Sequence, residues 1–174
     1  MEFRIVGGPS DGITLDLDHE AFAYAGKFGM SSTGKTVASD GELVGAVAFS
    51  EDYARDDAVR LRYVTVREDR RGEGIGSRLL RFTADSLREN YTVLIAVNNP
   101  IAYRACYRAG FVSTGTETGI AELLMRYEPD ADPSVRRYRA GFSVFEDRDL
   151  PSHHQKVVAN GLDGVPPEIV PVPQ

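Results

Sequence analysis

The stretch from Val64 to Leu80 constrains the fold of this chain more than any other. It reads Val64, Thr65, Val66, Arg67, Glu68, Asp69, Arg70, Arg71, Gly72, Glu73, Gly74, Ile75, Gly76, Ser77, Arg78, Leu79, Leu80. An apolar, β-rich run stops, three glycines alternate with other residues, and a helical period begins. Glycines this dense before a helix let backbone N–H groups converge without interference from Cβ atoms. The helix start adds its own free N–H groups and the positive end of its dipole. A phosphate-bearing ligand is expected there, held by the amides of Gly72 to Ser77, with its body running back along the strand.

The surrounding pattern supplies more elements. Residues 2–6 alternate as a first strand. Ile13 to Phe28 fits helix and strand equally. Residues 34–49 form two apolar runs around Asp40-Gly41, a hairpin signal. Residues 50–58 read as an acidic loop, and Val59 to Val66 as a strand. Ser77 to Glu89 carries a broad apolar stripe and predicts a helix. Tyr91 to Val97 is nearly all apolar, as in a strand buried on both faces. Asn99-Pro100 predicts a helix start, with Asn as cap and Pro in the first turn. Gly110 is its expected stop. Phe111 to Tyr127 suggests two strands around Thr116–Gly119. Alternation over 138–144 predicts one more strand, and 153–160 a short helix. The tail from Asp163 is proline-rich and reads as extended. Tyr-Arg-Ala-Gly-Phe occurs at 107–111 and again at 138–142, too few copies for a repeat architecture.

With 174 residues and 42% apolar side chains, the chain is long enough for one cored domain. We expect a body over 1–130 and an extension over 131–174. The formal charge of −6 argues against a nucleic-acid partner, which wants a basic face. No apolar stretch reaches membrane-spanning length. Glu2, Arg4 and Asp11 interrupt any signal-peptide pattern, so the expected location is cytoplasmic. A single cysteine, Cys106, excludes an internal disulfide and a multi-cysteine metal site. His153 and His154 are adjacent, do not share a helix face and have no third ligand nearby. No metal is expected.

Two anion-site signatures fail on their context. Gly72, Gly74 and Gly76 are spaced two apart, and Ser77 stands where a dinucleotide fingerprint needs its third glycine. Gly29 to Thr36 matches the Walker A string position by position. A working P-loop needs a helix directly after Lys35-Thr36, and here a hairpin follows, so nucleotide binding is a distant alternative.

The third signature has its context. Val66, four residues, then Arg71-Gly72-x-Gly74-x-Gly76 resembles the acetyl-coenzyme A motif of the GNAT acyltransferase superfamily. Asn99, Ala102, Gly110 and Phe111 match a second block of that family at the right separations, over roughly residues 1–128. The resemblance implies an α/β fold: a mixed, mainly antiparallel sheet flanked by helices and splayed between the strands near Val66 and Val97. It implies an N-acetyltransferase with acetyl-CoA as co-substrate, held by Val64, Thr65, Val66, Arg71, Gly72, Glu73, Gly74, Ile75, Gly76, Ser77 and Asn99. A main-chain N–H near Val64 to Val66 would stabilise the oxyanion while a primary amine attacks directly. A homodimer is compatible with it.

The chain departs from the family at the acid. The position of the usual tyrosine, four residues before Gly110-Phe111, is Cys106. Tyr103, Tyr107 and Cys106 are the catalytic candidates, alongside the absence of any side-chain acid. Base candidates are Glu42, Glu51, Asp52, Glu117 or a water. The acidic surface, with the loop at 50–58, suits a cationic acceptor. A non-catalytic acyl-CoA-binding domain is the alternative from another functional class.

Overall fold

The computed structural model describes residues 1–174. The chain divides into two compact units, Met1–Val93 with Pro171–Gln174, and Leu94–Val170. Its seven strands and four α-helices make a mixed α/β fold in which every described strand pairing is antiparallel.

In the first unit, strands β1 (Glu2–Gly7), β2 (Gly34–Asp40), β3 (Glu42–Asp52) and β4 (Arg55–Val66) pair in chain order. The β2–β3 turn is Asp40-Gly41, with Gly41 at φ 76°. Helix α1 (Ile75–Leu87) lies on one face of these strands, burying Ile75, Leu79, Leu80, Thr83 and Ala84. It comes close because Gly45 of β3 has no side chain: a Cβ there would stand 3.3 Å from Leu79 and 3.1 Å from the Thr65 carbonyl. The other face, with Val37, Ala46 and Ala48, is covered by Leu17, Phe22, Ala25 and Phe28.

That cover is neither of the two elements expected. Residues 8–24 form turns and irregular chain, followed by a 3-10 helix at Ala25–Gly29. Lys35 explains how it holds its shape. Fully buried on β2, its ammonium donates to the carbonyls of Ile13 (2.8 Å), Met30 (2.8 Å) and Thr33 (2.7 Å) and to the Thr33 hydroxyl (2.7 Å). These contacts clamp both ends of the cover.

The expected acidic loop at 50–58 is mostly strand. β3 and β4 run on to a tight turn at Tyr53-Ala54, where the Asp52 carboxylate accepts from the Ala54 N–H at 2.9 Å and pairs with Arg60 at 2.9 Å. Glu51, Asp56 and Asp57 remain exposed along the strands. Acidic residues satisfied at a hairpin end are compatible with strand, and composition alone hid this.

In the second unit, β5 (Thr92–Val97) pairs with β7 (Leu123–Tyr127), and β7 with β6 (Phe111–Glu117). Helix α2 (Pro100–Arg108) begins where Asn99 accepts the Ala102 N–H at 2.8 Å and ends before Gly110, at φ 94°. The expected strand at 138–144 is instead helix α3 (Val135–Glu146), capped by Ser134, which accepts from the Arg137 N–H at 3.1 Å. Its buried positions are Tyr138, Gly141, Phe142 and Phe145, a helical spacing that masquerades as alternation over a short window. Helix α4 (Ser152–Leu162) follows, and Gly161 packs on the Phe142 ring. The remaining tail has no regular structure, and the Val170 N–H donates to the Arg108 carbonyl at 2.8 Å.

Candidate functional site

The end of β4 presents main chain in a defined sense. The Arg67 N–H donates to the Val44 carbonyl at 2.9 Å, and the register pairs Val66 with Gly45, Thr65 with Ala46 and Val64 with Val47. Antiparallel pairing alternates, so Thr65 bonds to β3 while the N–H and C=O of Val64 and Val66 face away from it. Upstream, the register slips between Ala48 and Phe49, leaving Arg62 as a bulge residue. Such bulges re-aim a strand and recur beside active sites.

After β4 the chain makes one 3-10 turn, Glu68–Arg70. Arg67 holds Asp69 (2.7 Å) and Glu42 (2.8 Å), and Arg70 holds Glu73 (2.8 Å) and Asp40 (3.1 Å). Asp69, with Glu42, raises the Arg67 guanidinium above its ordinary range. Glu73 and Asp40 do the same for Arg70, which in turn lowers Glu73. Both arginines are therefore occupied. Arg71 is exposed and its Nε reaches the Val66 carbonyl at 3.5 Å. Gly72 and Gly74 stand at φ 86° and 77°, where other residues are strained. Gly74 is the cap of α1 and offers no side-chain acceptor. The amides of Ile75 and Gly76 lack intrahelical partners and remain available to an anion. A Cβ on Gly76 would meet only Val66 Cγ2, at 3.6 Å, so neither φ nor packing within the protein demands glycine there. The expected cofactor-binding residues of this segment, Val64 to Val66 and Arg71 to Ser77, thus lie on one continuous strand–turn–helix.

The other candidates belong to the second unit. Asn99 caps α2, and its Nδ2 donates to Asn98 Oδ1 at 3.2 Å. Tyr103 is fully buried among Tyr107, Tyr138, Phe142 and Phe145, with its hydroxyl donating to the Tyr138 carbonyl at 2.9 Å. Burial, then the neighbouring Tyr107, pushes that phenol far above its ordinary range. Cys106 is buried, and its thiol is pushed up to about 12 by desolvation alone. Such a thiol is a poor nucleophile and a poor proton donor. The Tyr107 hydroxyl accepts the Ser113 N–H at 3.2 Å. Tyr107 lines a cavity of about 530 Å³, shared with Phe111, Arg137 and Pro166.

Three of the four candidate carboxylates are engaged by arginine: Glu42 by Arg67, Asp52 by Arg60, and Glu117 by Arg148 at 3.5 Å. Glu51 is exposed on β3. Lys35 is turned into the fold and followed by strand, so the Walker string cannot hold phosphate. No group of three or more His, Cys, Asp or Glu side chains is placed to hold a metal ion. Sequence reasoning missed the Lys35 clamp and an aromatic and cationic recess at His19–Met30. The only signal for either was a lysine among apolar strand residues and one tyrosine, Tyr24, in an ambiguous segment.

The family model for the GNAT acetyltransferase family matches residues 12–111, more than half of the chain. The protein belongs to the GNAT acetyltransferase family, a family of acyltransferases. Among solved structures, it is similar to a ribosomal-protein-alanine N-acetyltransferase from Brucella melitensis, at 22% identity over 54% of this chain and 67% of that one, TM-score 0.47. It is also similar to yncA, a putative acetyltransferase from Salmonella typhimurium solved with its cofactor acetyl-CoA (18%, 59% and 68%, 0.48). A Bacillus subtilis acetyltransferase in complex with CoA gives 17%, 55% and 76%, and 0.47. The chain thus spans about two thirds to three quarters of the length of these structures. A comparison with curated proteins gives no match. Family membership rests on the 12–111 match, and these structural likenesses add no argument to it.

Proposed function

We propose that the protein transfers an acetyl or short acyl group from acyl-CoA to a primary amine, by direct attack in a ternary complex in the cytoplasm. The observation that carries this is the strand–turn–helix from Val64 to Ser77. Its uncapped α1 start and exposed Arg71 suit a diphosphate, and the main chain of Val64 and Val66 faces away from β3, suited to a pantetheine arm. Backbone donors are apt here because they are fixed in place and carry no side-chain entropy. An N–H of Val64 or Val66 then meets the thioester oxygen as it becomes an oxyanion. The amine nitrogen forms the new C–N bond, the C–S bond breaks, and the departing sulfur takes a proton. Tyr107, which lines a cavity and whose hydroxyl proton is not given to any carbonyl as that of Tyr103 is, is the side chain best suited to assist that last step.

The alternative, a domain that binds acyl-CoA without turnover, draws on Cys106 and on the Tyr103 hydroxyl held by Tyr138. Calorimetric titration of acetyl-CoA, beside thiol release on a panel of primary amines, separates the two. Binding with turnover on at least one amine supports transfer, whereas binding with none favours the idle domain. Gly74→Glu sets a carboxylate and a Cβ where phosphate belongs, and it should abolish binding while circular dichroism stays native. Unchanged affinity in that variant refutes the site.

A further inference from the structure

The cover between β1 and β2 leaves an open recess of about 540 Å³ lined by His19, Phe22, Tyr24, Lys27 and Met30. Tyr24 stands at φ 59°, ψ 19°, in the left-handed region, yet the residue is 62% exposed. Strain of this kind in a non-glycine residue persists where surroundings enforce it and clusters at ligand clamps. The Tyr24 ring lies against Tyr63 of β4, centroids 6.1 Å apart, and the Lys27 ammonium stands 5.6 Å over the same Tyr63 ring. Tyr63 directly follows the Arg62 bulge and directly precedes Val64. The Ala21 carbonyl accepts the Glu68 N–H at 2.9 Å, which ties the recess to the exit of β4.

The charges point the same way. No carboxylate lines the recess, and Lys27 has no ion-pair partner, whereas nearby Arg67 and Arg70 each hold two acids. In a chain of net charge −6 this is a local cationic spot on an aromatic floor. It is the reverse of what the overall acidity suggests for an acceptor.

We infer that this recess takes the acceptor, and that the acceptor is a free α-amino acid with an aromatic side chain. Its ring lies against Tyr24 and Phe22 in the recess, its carboxylate meets the Lys27 ammonium, and its amino group faces the end of β4, to which the Tyr24–Tyr63 contact leads. The inference rests on the acyl transfer proposed above. The neutral amine forms the C–N bond to the acyl carbon, the C–S bond breaks, and one amine proton leaves with the sulfur, giving an N-acyl amino acid and free thiol.

The test measures thiol release at saturating acetyl-CoA with L-phenylalanine, phenethylamine and phenylalanine amide, the amide standing for a peptide N-terminus. Calorimetric titration of the same three compounds into the acetyl-CoA complex reads the preference without turnover. The wild type should favour L-phenylalanine by about tenfold or more, the size of one charge-assisted contact. Lys27→Gln should erase that preference and leave acetyl-CoA affinity unchanged. Tyr24→Gly should raise the melting temperature, because glycine relieves the left-handed strain, while weakening L-phenylalanine by about tenfold. Equal use of the three compounds, or a preference that survives Lys27→Gln, overturns the inference. Failure to bind acetyl-CoA at all overturns the acyl-transfer reading instead, so the two failures are distinguishable.

Discussion

At the residue scale, Gly76 separates what the fold needs from what a ligand needs. Gly72 and Gly74 have left-handed backbones and are explained without any ligand. Gly76 sits inside α1 with room for a methyl group. Alanine there should stabilise the protein by up to about 1 kcal/mol through helix propensity. If the diphosphate approaches that main chain, the same methyl should weaken acetyl-CoA by about tenfold, on the order of 1.4 kcal/mol. Thermal melts and titration on one sample check both. A rise in stability with unchanged affinity would place the ligand elsewhere.

The tyrosines divide in a similar way. Tyr103→Phe removes the donor to the Tyr138 carbonyl and should cost about 1 kcal/mol of stability with kcat unchanged. Tyr107→Phe removes the acceptor of the Ser113 N–H, at a comparable cost. If Tyr107 serves the departing sulfur, that variant alone should also lower kcat by about 10²-fold. Steady-state rates beside urea melts distinguish the two effects.

At the scale of elements, the β3–β4 hairpin carries a pH-dependent clamp. Burial works against the Asp52 carboxylate, but the Ala54 N–H and then Arg60 outweigh it, so its pKa lies below the unfolded value of 3.8. A depressed carboxylate stabilises above its unfolded pKa, and that stability is lost as pH falls through the folded one. Asp52→Asn should therefore cost about 1–2 kcal/mol at neutral pH. The gap from wild type should narrow as pH falls below 3.8 and close once the depressed folded-state pKa is passed. A gap of constant size across that range would mean that the carboxylate charge is irrelevant.

The elements also mark how far the sequence could be read. Tyr-Arg-Ala-Gly-Phe ends a helix and opens a strand at 107–111, but lies wholly inside α3 at 138–142. Gly110 takes φ 94° and stops α2, whereas Gly141 stays helical because Tyr103 packs against it; a Cβ there would stand 2.1 Å from the Tyr103 hydroxyl. Five residues cannot carry that distinction, which depends on a partner far along the chain. The strand–glycine–helix segment was legible because its signal is local: an apolar strand, a cluster of glycines and an amphipathic helix. Asn99 and Pro100 announced α2 for the same reason. The cover over β2 to β4 was not legible, since its shape depends on Lys35 reaching the carbonyls of Ile13, Met30 and Thr33. A lysine used as an internal hydrogen-bond hub looks, in sequence, like half of a phosphate loop.

At the scale of the whole molecule, the two compact units give ligand binding an address. The proposed diphosphate amides all lie in the unit containing β1 to β4 and α1, while Tyr103, Cys106 and Tyr107 lie in the other. A ligand that binds only the folded protein stabilises it by about 2.7 kcal/mol at one hundred times its dissociation constant. Acetyl-CoA at that excess should therefore raise the melting temperature, and Gly74→Glu should abolish the rise. Hydrogen exchange locates the effect: protection should appear first at Ile75 and Gly76, whose amides lack helical partners, and at Val64 and Val66, whose amides face away from β3. A thermal shift whose new protection was confined to residues 94–170 would mean that acetyl-CoA is held by the unit carrying Tyr107. The amide cradle at the start of α1 would then be a turn that shapes the chain and grips nothing.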